Sequence, residues 1–308
     1  MKLLIELPSW IGDAVMTTPA VENIISSNPT AEIYLIGPAD SVSLFNYHPK
    51  VKKTFITEKT VISMLRTINF LVEFDMFFSF RGSLRDKITK KLVRAKKKFQ
   101  FDKAKYTKLH QVEKYNCFVN ESLNIKSLPN KLILHCDQNN TLVKNKLLGI
   151  NPGASYGSAK RWNPKNFAVV ASHLSKKFDI IIFGGLSEKK FAADIEKNLV
   201  NNNVNNYRNL AGKTSLEELM SLISNLDMFI TGDSGPMHIA AAFGIPTISI
   251  FGPTNDKETS QWMNSKSKII KKNLNCQPCM KRKCPLGHHD CMKLIEASEV
   301  LSAAEELI

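Results

Sequence analysis

The feature that most limits how this chain can fold is a repeated alternation of short apolar runs, Gly/Pro turns and longer amphipathic stretches. Residues 2–7 are an apolar run ending in Pro8, followed by a turn at 9–13 and a helical stretch to about Ser27. Further strands are expected at 32–36, closed by Gly37-Pro38, at 51–56 and at 75–79. The pattern restarts around a polar junction at 137–145, with strands expected at 132–135 and 148–151. Helices over 163–176, 188–198, 216–224 and 237–243 then alternate with strands at 179–183, 228–231 and 247–251. Such alternation builds parallel sheets covered by helices. Two units of this kind in 308 residues read as an α/β chain of two facing Rossmann-like doubly wound domains. Ligands in these folds sit at the carboxyl ends of the strands, so the active site is expected in the interdomain cleft. The expected limits are 1–143 and 144–292. A C-terminal helix at 293–308, with Leu301, Ala304 and Ile308 spaced to pack, is expected to turn back toward the N-terminal domain.

At 43% hydrophobic and 23% charged, the chain has the composition of a globular protein. No run reaches the roughly 18 apolar residues of a membrane span; the longest, 239–251, is broken by Gly244 and Pro246. Glu6 and Asp13 interrupt the N-terminus, so it is not a secretory signal and a cytoplasmic location is expected. The net charge is +14. Much of the excess lies in 81–108, with Arg81, Arg85, Lys87, Lys90, Lys91, Arg94, Lys96, Lys97, Lys98, Lys103, Lys105 and Lys108 against Asp86 and Asp102. Such a segment either attracts polyanions or is a solvated surface. No aromatic-bearing strand signature or recognition helix accompanies it, so nucleic acid is not the expected partner.

The segment TGDSGPMHIAAA, 231–242, reads as a strand-to-helix turn. Pro236 opens the helix where its missing N–H costs nothing. The N–H groups of Ser234, Gly235, Met237 and His238 at a positive helix end suit a diphosphate. Asp233 can hold hydroxyls and His238 can donate to an oxygen; the alternative is an ordinary capped helix with a buried His. The loop 153–162, GASYGSAKRW, delivers Lys160 and Arg161, paired cations suited to a leaving phosphate. Glu188 follows a Gly-Gly turn, where a carboxylate accepts both hydroxyls of a ribose or complements a helix dipole. Asp13 is the one acid in the turn after the first strand: a base for a hydroxyl nucleophile, or a helix N-cap. Thr18 and Pro19 read as a re-capped helix start. Cys276, Cys279, Cys284 and Cys291, with His288 and His289, are spaced C-x2-C-x4-C-x6-C. They are either a zinc site or reduced thiols shaping a tight loop. Cys117 and Cys136 read as core residues.

Taken together, LPSWIGDAVMTTPA, NPGASYGSAKRW, FGG-x-x-E, TGDSGPMHIAAAFGIPTISIFGPT and the tail CQPCMKRKCPLGHHDCM closely resemble the heptosyltransferases of glycosyltransferase family nine. The likeness runs the whole length. The opening and the cysteine-bearing tail are most similar to the branch that adds the second heptose of the lipopolysaccharide inner core. The resemblance implies the GT-B fold and inverting transfer of heptose from ADP-heptose to the first heptose of a lipid A–Kdo–heptose acceptor. It implies Asp13 as general base and Lys160 as the charge that holds departing ADP, with Ser155 and Tyr156 beside the phosphates. It further implies Glu188 on the ribose, and Asp233, Ser234, Gly235 and His238 on the sugar diphosphate. No metal or other cofactor is expected. Arg81, Lys96, Lys97 and Lys98 are expected to meet the acceptor's acidic groups, with a monomeric enzyme resting peripherally on the inner membrane. The open alternatives are another heptosyltransferase of the family, a sugar-nucleotide epimerase of the same fold, and a non-enzymatic polyanion-binding protein.

Overall fold

The computed structural model describes residues 1–58, 60–69, 71–137, 145–153 and 156–308. The chain divides into two units, Met1–Asp137 and Gln138–Ile308. The boundary expected between 143 and 144 falls outside the described residues.

The first unit runs β1 (Lys2–Glu6), α1 (Ile11–Met16), α2 (Thr18–Ser26), β2 (Glu32–Gly37), α3 (Ala39–Ser43) and β3 (Val51–Ile56). It continues through α4 (Val61–Asn69), β4 (Phe74–Ser79), α5 (Leu84–Leu92), β5 (Ala95–Gln100) and α6 (Gln111–Leu123). Its strands are all parallel, in the order β3-β2-β1-β4-β5. Met64 and Ile68 of α4, and Val93 just after α5, pack with Leu4, Tyr34, Ile36, Phe74 and Phe77. Phe80, Phe101, Tyr115 and Phe118 make a separate aromatic cluster, with ring centroids 4.9–5.9 Å apart.

The second unit runs β6 (Leu147–Asn151), α7 (Pro164–Leu174), β7 (Asp179–Ile182), α8 (Lys189–Asn201), β8 (Tyr207–Asn209), α9 (Leu216–Ser224) and β9 (Met228–Gly232). It closes with α10 (Gly235–Ala242), β10 (Thr247–Ile250), α11 (Asp256–Thr259), β11 (Ser267–Ile270), α12 (Asp290–Lys293) and α13 (Ala297–Glu305). Its order is β11-β10-β9-β6-β7-β8, again all parallel. Counted from β6, this is the Rossmann order 3-2-1-4-5-6. In both units the first strand lies between its second and fourth. The loops after the first and fourth strands leave toward opposite faces, and a crevice opens at the carboxyl ends of that pair. That crevice falls at β1/β4 in the first unit and at β6/β9 in the second.

Several local expectations change. Residues 132–135 form no strand; the chain is irregular there, with Leu132 and Leu134 buried. The Ile133 N–H instead donates to Thr18 Oγ1 at 3.1 Å. The helix break falls at Thr17, one residue before the predicted cap. Thr17 and Thr18 hydroxyls donate back to the Ala14 and Val15 carbonyls, so neither caps by side chain. The apolar face of α13 is taken up by its own unit: Val300, Ala303 and Ala304 are buried in the second core and Leu301 lies against it, whereas Ile308 is exposed. Trp162 Nε1–H donates to the Ile295 carbonyl at 2.9 Å and fastens the tail. Among the described residues no helix is long and apolar enough to cross a membrane. Cys117 and Cys136 are half-buried rather than core residues.

Candidate active site

The second unit's switch point holds most of the predicted donor residues. Asn151, at the end of β6, donates through Nδ2 to Thr231 Oγ1 at 3.2 Å and to Ser234 Oγ at 3.0 Å. This ties the ends of β6 and β9 together. Ser234 is the N-cap of α10 in extended geometry, but its hydroxyl faces Asn151 and Thr231 and makes no cap bond. Gly235 is the first helical residue and Pro236 the second. The Met237 N–H, expected to be open to a ligand, is taken by the Ser234 carbonyl at 3.1 Å. His238 is buried.

Lys160 ends a single 3-10 turn, Ser158–Lys160. Its ammonium reaches the Asp233 carboxylate at 2.5 Å and the Asp233 carbonyl at 3.1 Å. The Thr254 hydroxyl donates to the same carboxylate oxygen at 2.5 Å. The pair is largely out of water, with side chains 11% and 6% exposed. Two residues named from separate motifs therefore meet in one corner beside the positive end of α10. A buried cation held this way stays at a fixed place, ready for an arriving anion. Tyr156 lies under it, with Lys160 Nζ 4.7 Å and Arg282 5.5 Å from the ring centroid, both within cation–π range. Arg161 points elsewhere, 5.8 Å from the Phe191 ring. Ser155 lies outside the described residues.

The cysteine-bearing loop has a visible mechanical role. Tyr156 Oη donates to the Met280 carbonyl at 2.7 Å, and the Ala159 N–H donates to the Arg282 carbonyl at 3.1 Å. His289 Nε2 lies 2.8 Å from the Ala159 carbonyl. The tail thus clamps the short segment that carries Lys160. Its four cysteines with His288 and His289 line one cavity of about 20 Å³. Among the described residues no three Cys, His, Asp or Glu side chains are arranged as a metal ligand set.

Glu188 is buried and turned onto its own loop: Oε2 accepts the Gly185 N–H at 2.5 Å. A Cβ on Gly153 would lie 2.8 Å from its carboxyl carbon, so the glycine is what lets the two loops meet here. Glu188 is also the N-cap residue of α8, but its side chain makes no cap bond to that helix.

In the first unit, Asp13 is the third residue of α1 and not its N-cap, which is Trp10. Burial, and then the nearby Asp13 charge, hold the Tyr115 phenol well above its ordinary value. At the same switch point lies a group that sequence reasoning missed. Glu6 ends β1 4% exposed, and accepts the Ser79 hydroxyl at 2.6 Å. Arg81 stands between two carboxylates, 2.9 Å from Asp86 and 3.8 Å from Glu6. Burial pushes the Glu6 carboxyl up to about 7, against the lowering effects of Ser79 and Arg81. The available signal was a carboxylate ending an otherwise apolar strand. Lys96, Lys97 and Lys98 lie apart from this group on β5, at the sheet edge. Lys96 pairs with Asp75 at 2.8 Å and Lys98 donates to the Lys91 carbonyl at 3.1 Å.

The profile of Glycosyltransferase family 9 (heptosyltransferase) matches residues 73–289. Lipooligosaccharide heptosyltransferase 2 of Campylobacter jejuni is 39% identical over 321 residues, covering 100% of this chain and 98% of that protein. Lipopolysaccharide heptosyltransferase 2 of Salmonella typhimurium is 25% identical, covering 100% and 99%. Among solved structures, E. coli ADP-heptose lps heptosyltransferase II aligns with a TM-score of 0.79 at 21% identity, covering 100% of this chain and 98% of that one. A family 9 glycosyl transferase of Veillonella parvula aligns at 0.85 and 19% identity, covering 99% and 96%. The two parallel-sheet units match the GT-B fold of these proteins. The comparison sets aside the reading of a non-enzymatic polyanion binder. With matches spanning the whole chain and its switch-point residues, the protein belongs to glycosyltransferase family 9, the heptosyltransferases.

Proposed function

We propose that this enzyme transfers heptose from ADP-heptose to the first heptose of the lipopolysaccharide or lipooligosaccharide inner core, with inversion. The observation that carries the reading is the full-length likeness to lipooligosaccharide heptosyltransferase 2 of Campylobacter jejuni. The Lys160–Asp233–Thr254 corner supports it, because it offers a departing diphosphate a fixed cation next to a helix N-terminus.

In this reading Asp13 takes the proton from an acceptor heptose hydroxyl while that oxygen attacks the anomeric carbon. The new C–O bond forms as the bond to ADP breaks on the opposite side. The charge that develops on the diphosphate is met by Lys160 and the N–H groups opening α10, and Tyr156 floors the pocket. Asp233 and Thr254 keep Lys160 in place until the anion arrives. Ser234, Gly235 and His238 contact the sugar diphosphate, Ser155 lies beside the phosphates, and Glu188 meets the ribose after releasing part of its hold on the Gly185 loop. Arg81 and the β5 lysines meet acidic groups of the lipid A–Kdo–heptose acceptor. No resident metal or cofactor takes part. The enzyme works as a monomer on the cytoplasmic face of the inner membrane.

The test is incubation with ADP-heptose and cores carrying no, one or two heptoses, read by product mass. Transfer confined to the one-heptose core is expected; transfer to the heptose-free core instead would sink the assignment. Asp13→Asn is expected to lower kcat by about 10²–10⁴ while ADP-heptose binding persists.

A further inference from the structure

Helix α5 carries its apolar residues on the wrong side for a core. Leu84, Ile88 and Leu92, each four residues on from the last, are 77%, 43% and 42% exposed. Residues spaced by four share one helix face. The inward face is formed instead by Asp86 and Thr89, both buried, with Val93 beyond the helix end. Asp86 is the only acid on α5 and is held inside by Arg81 and the Ser83 N–H. The outward face is therefore aliphatic and flanked by Lys87 and Lys91, with no exposed carboxylate on the helix. Helix α4 lies alongside, with Thr89 Oγ1 3.0 Å from Met64 Sδ. It adds the exposed Ile62 and Leu65, with Arg66 beside them and no acid of its own.

We infer that the outward face of α4 and α5 docks on a lipid bilayer carrying anionic head groups, with Leu84, Ile88 and Leu92 entering the interface. This rests on the reading of the acceptor as lipid-borne and names the surface that brings the enzyme to it. Charge complementarity selects the occupant. A second copy of the chain would set the same cations against each other. A nucleic acid would use the lysines and leave the aliphatic stripe in water. A bilayer surface satisfies both, since apolar side chains reach the acyl boundary while flanking cations stay among phosphates.

The test uses the full chain in sedimentation with vesicles of phosphatidylcholine alone or with about one third phosphatidylglycerol. Binding is expected only to the anionic vesicles. Leu84→Ser with Ile88→Ser and Leu92→Ser is expected to weaken partition by roughly tenfold or more. Lys87→Gln and Lys91→Gln are expected to weaken it about fivefold each, with the loss shrinking at high salt. The serine variant should keep its circular dichroism spectrum and its transfer to a delipidated, water-soluble core. Leu84→Trp should shift its emission to the blue on anionic vesicles. Equal partition of the serine variant and the wild type would overturn the proposal. So would serine substitutions that leave vesicle binding intact while abolishing self-association or binding to single-stranded RNA. Wild type inactive on the soluble core but bound to vesicles would instead count against the transferase reading alone.

Discussion

Replacing Glu6 by glutamine is expected to stabilise the first unit at alkaline pH and to leave it unchanged in acid. Glu6 is buried, 4% exposed, and its carboxyl is pushed up from 4.5 to about 7. Between those two pH values the folded chain holds a proton on Glu6 that the unfolded chain has released. The contribution of this residue is thus fully present below pH 4.5, declines as pH rises through about 7, and stays lost above. The rise corresponds to about 3 kcal/mol at pH 8. Glutamine keeps an oxygen to accept the Ser79 hydroxyl and removes the buried charge. It also loses the attraction of Arg81, which is weak at 3.8 Å. The variant should therefore exceed wild type by about 2–3 kcal/mol at pH 8 and match it near pH 4.5. Because a two-unit chain need not unfold in one step, the assay is hydrogen exchange of the β1 and β4 amides, Leu3–Ile5 and Phe77–Phe78, across pH 5–8. A wild-type-to-variant difference that does not change with pH, or a Glu6 carboxyl that NMR shows titrating below pH 5, would refute the reasoning.

Two further outcomes follow from packing and from the donor corner. A Cβ at Gly149 would stand 2.4 Å from Leu226 Cδ1 and 2.7 Å from Phe229 Cδ2. Gly149→Ala is therefore expected to cost about 1–3 kcal/mol, read as a lower thermal midpoint with the far-UV spectrum retained. Lys160→Met removes the cation and leaves the Asp233 carboxylate, 6% exposed, with Thr254 but without its counter-charge. Loss of kcat by about 10²-fold or more is expected, together with weaker ADP binding in calorimetry; unchanged kcat would detach Lys160 from the leaving group.

The sheet strands that read as apolar runs ending in Gly or Pro were legible because burial on both faces demands such runs. Strands β5, β8 and β11 were not. AKKKFQ on β5 hides its period behind lysines, which an edge strand tolerates and which protect it from pairing with other chains. Residues 132–135 misled in the opposite direction: Leu132 and Leu134 alternate as a strand would, but they bury into the first unit without a ladder. Within the site, Lys160 and Asp233 each stood out by motif. Their contact did not, since 73 residues separate them and only the strand order brings them together. Thr254 and Asn151 carried no signal, because a hydroxyl or amide is recognised only by what it faces. Glu6 looked like an interruption of an apolar strand, and its position at a carboxyl end gives it meaning only once β4 lies beside β1.

The fastening of Trp162 to Ile295, and the filling of the second core by Val300, Ala303 and Ala304, set a timetable for synthesis. The first unit is one contiguous stretch and can fold on the ribosome as soon as its own residues emerge, as amino-terminal domains do. The second cannot close until Ile295 and the buried residues of α13 have been made. Until then Trp162 and the α7 surface wait uncovered, and a message cut short before Ile295 yields a finished first half joined to a half that chaperones and proteases will recognise.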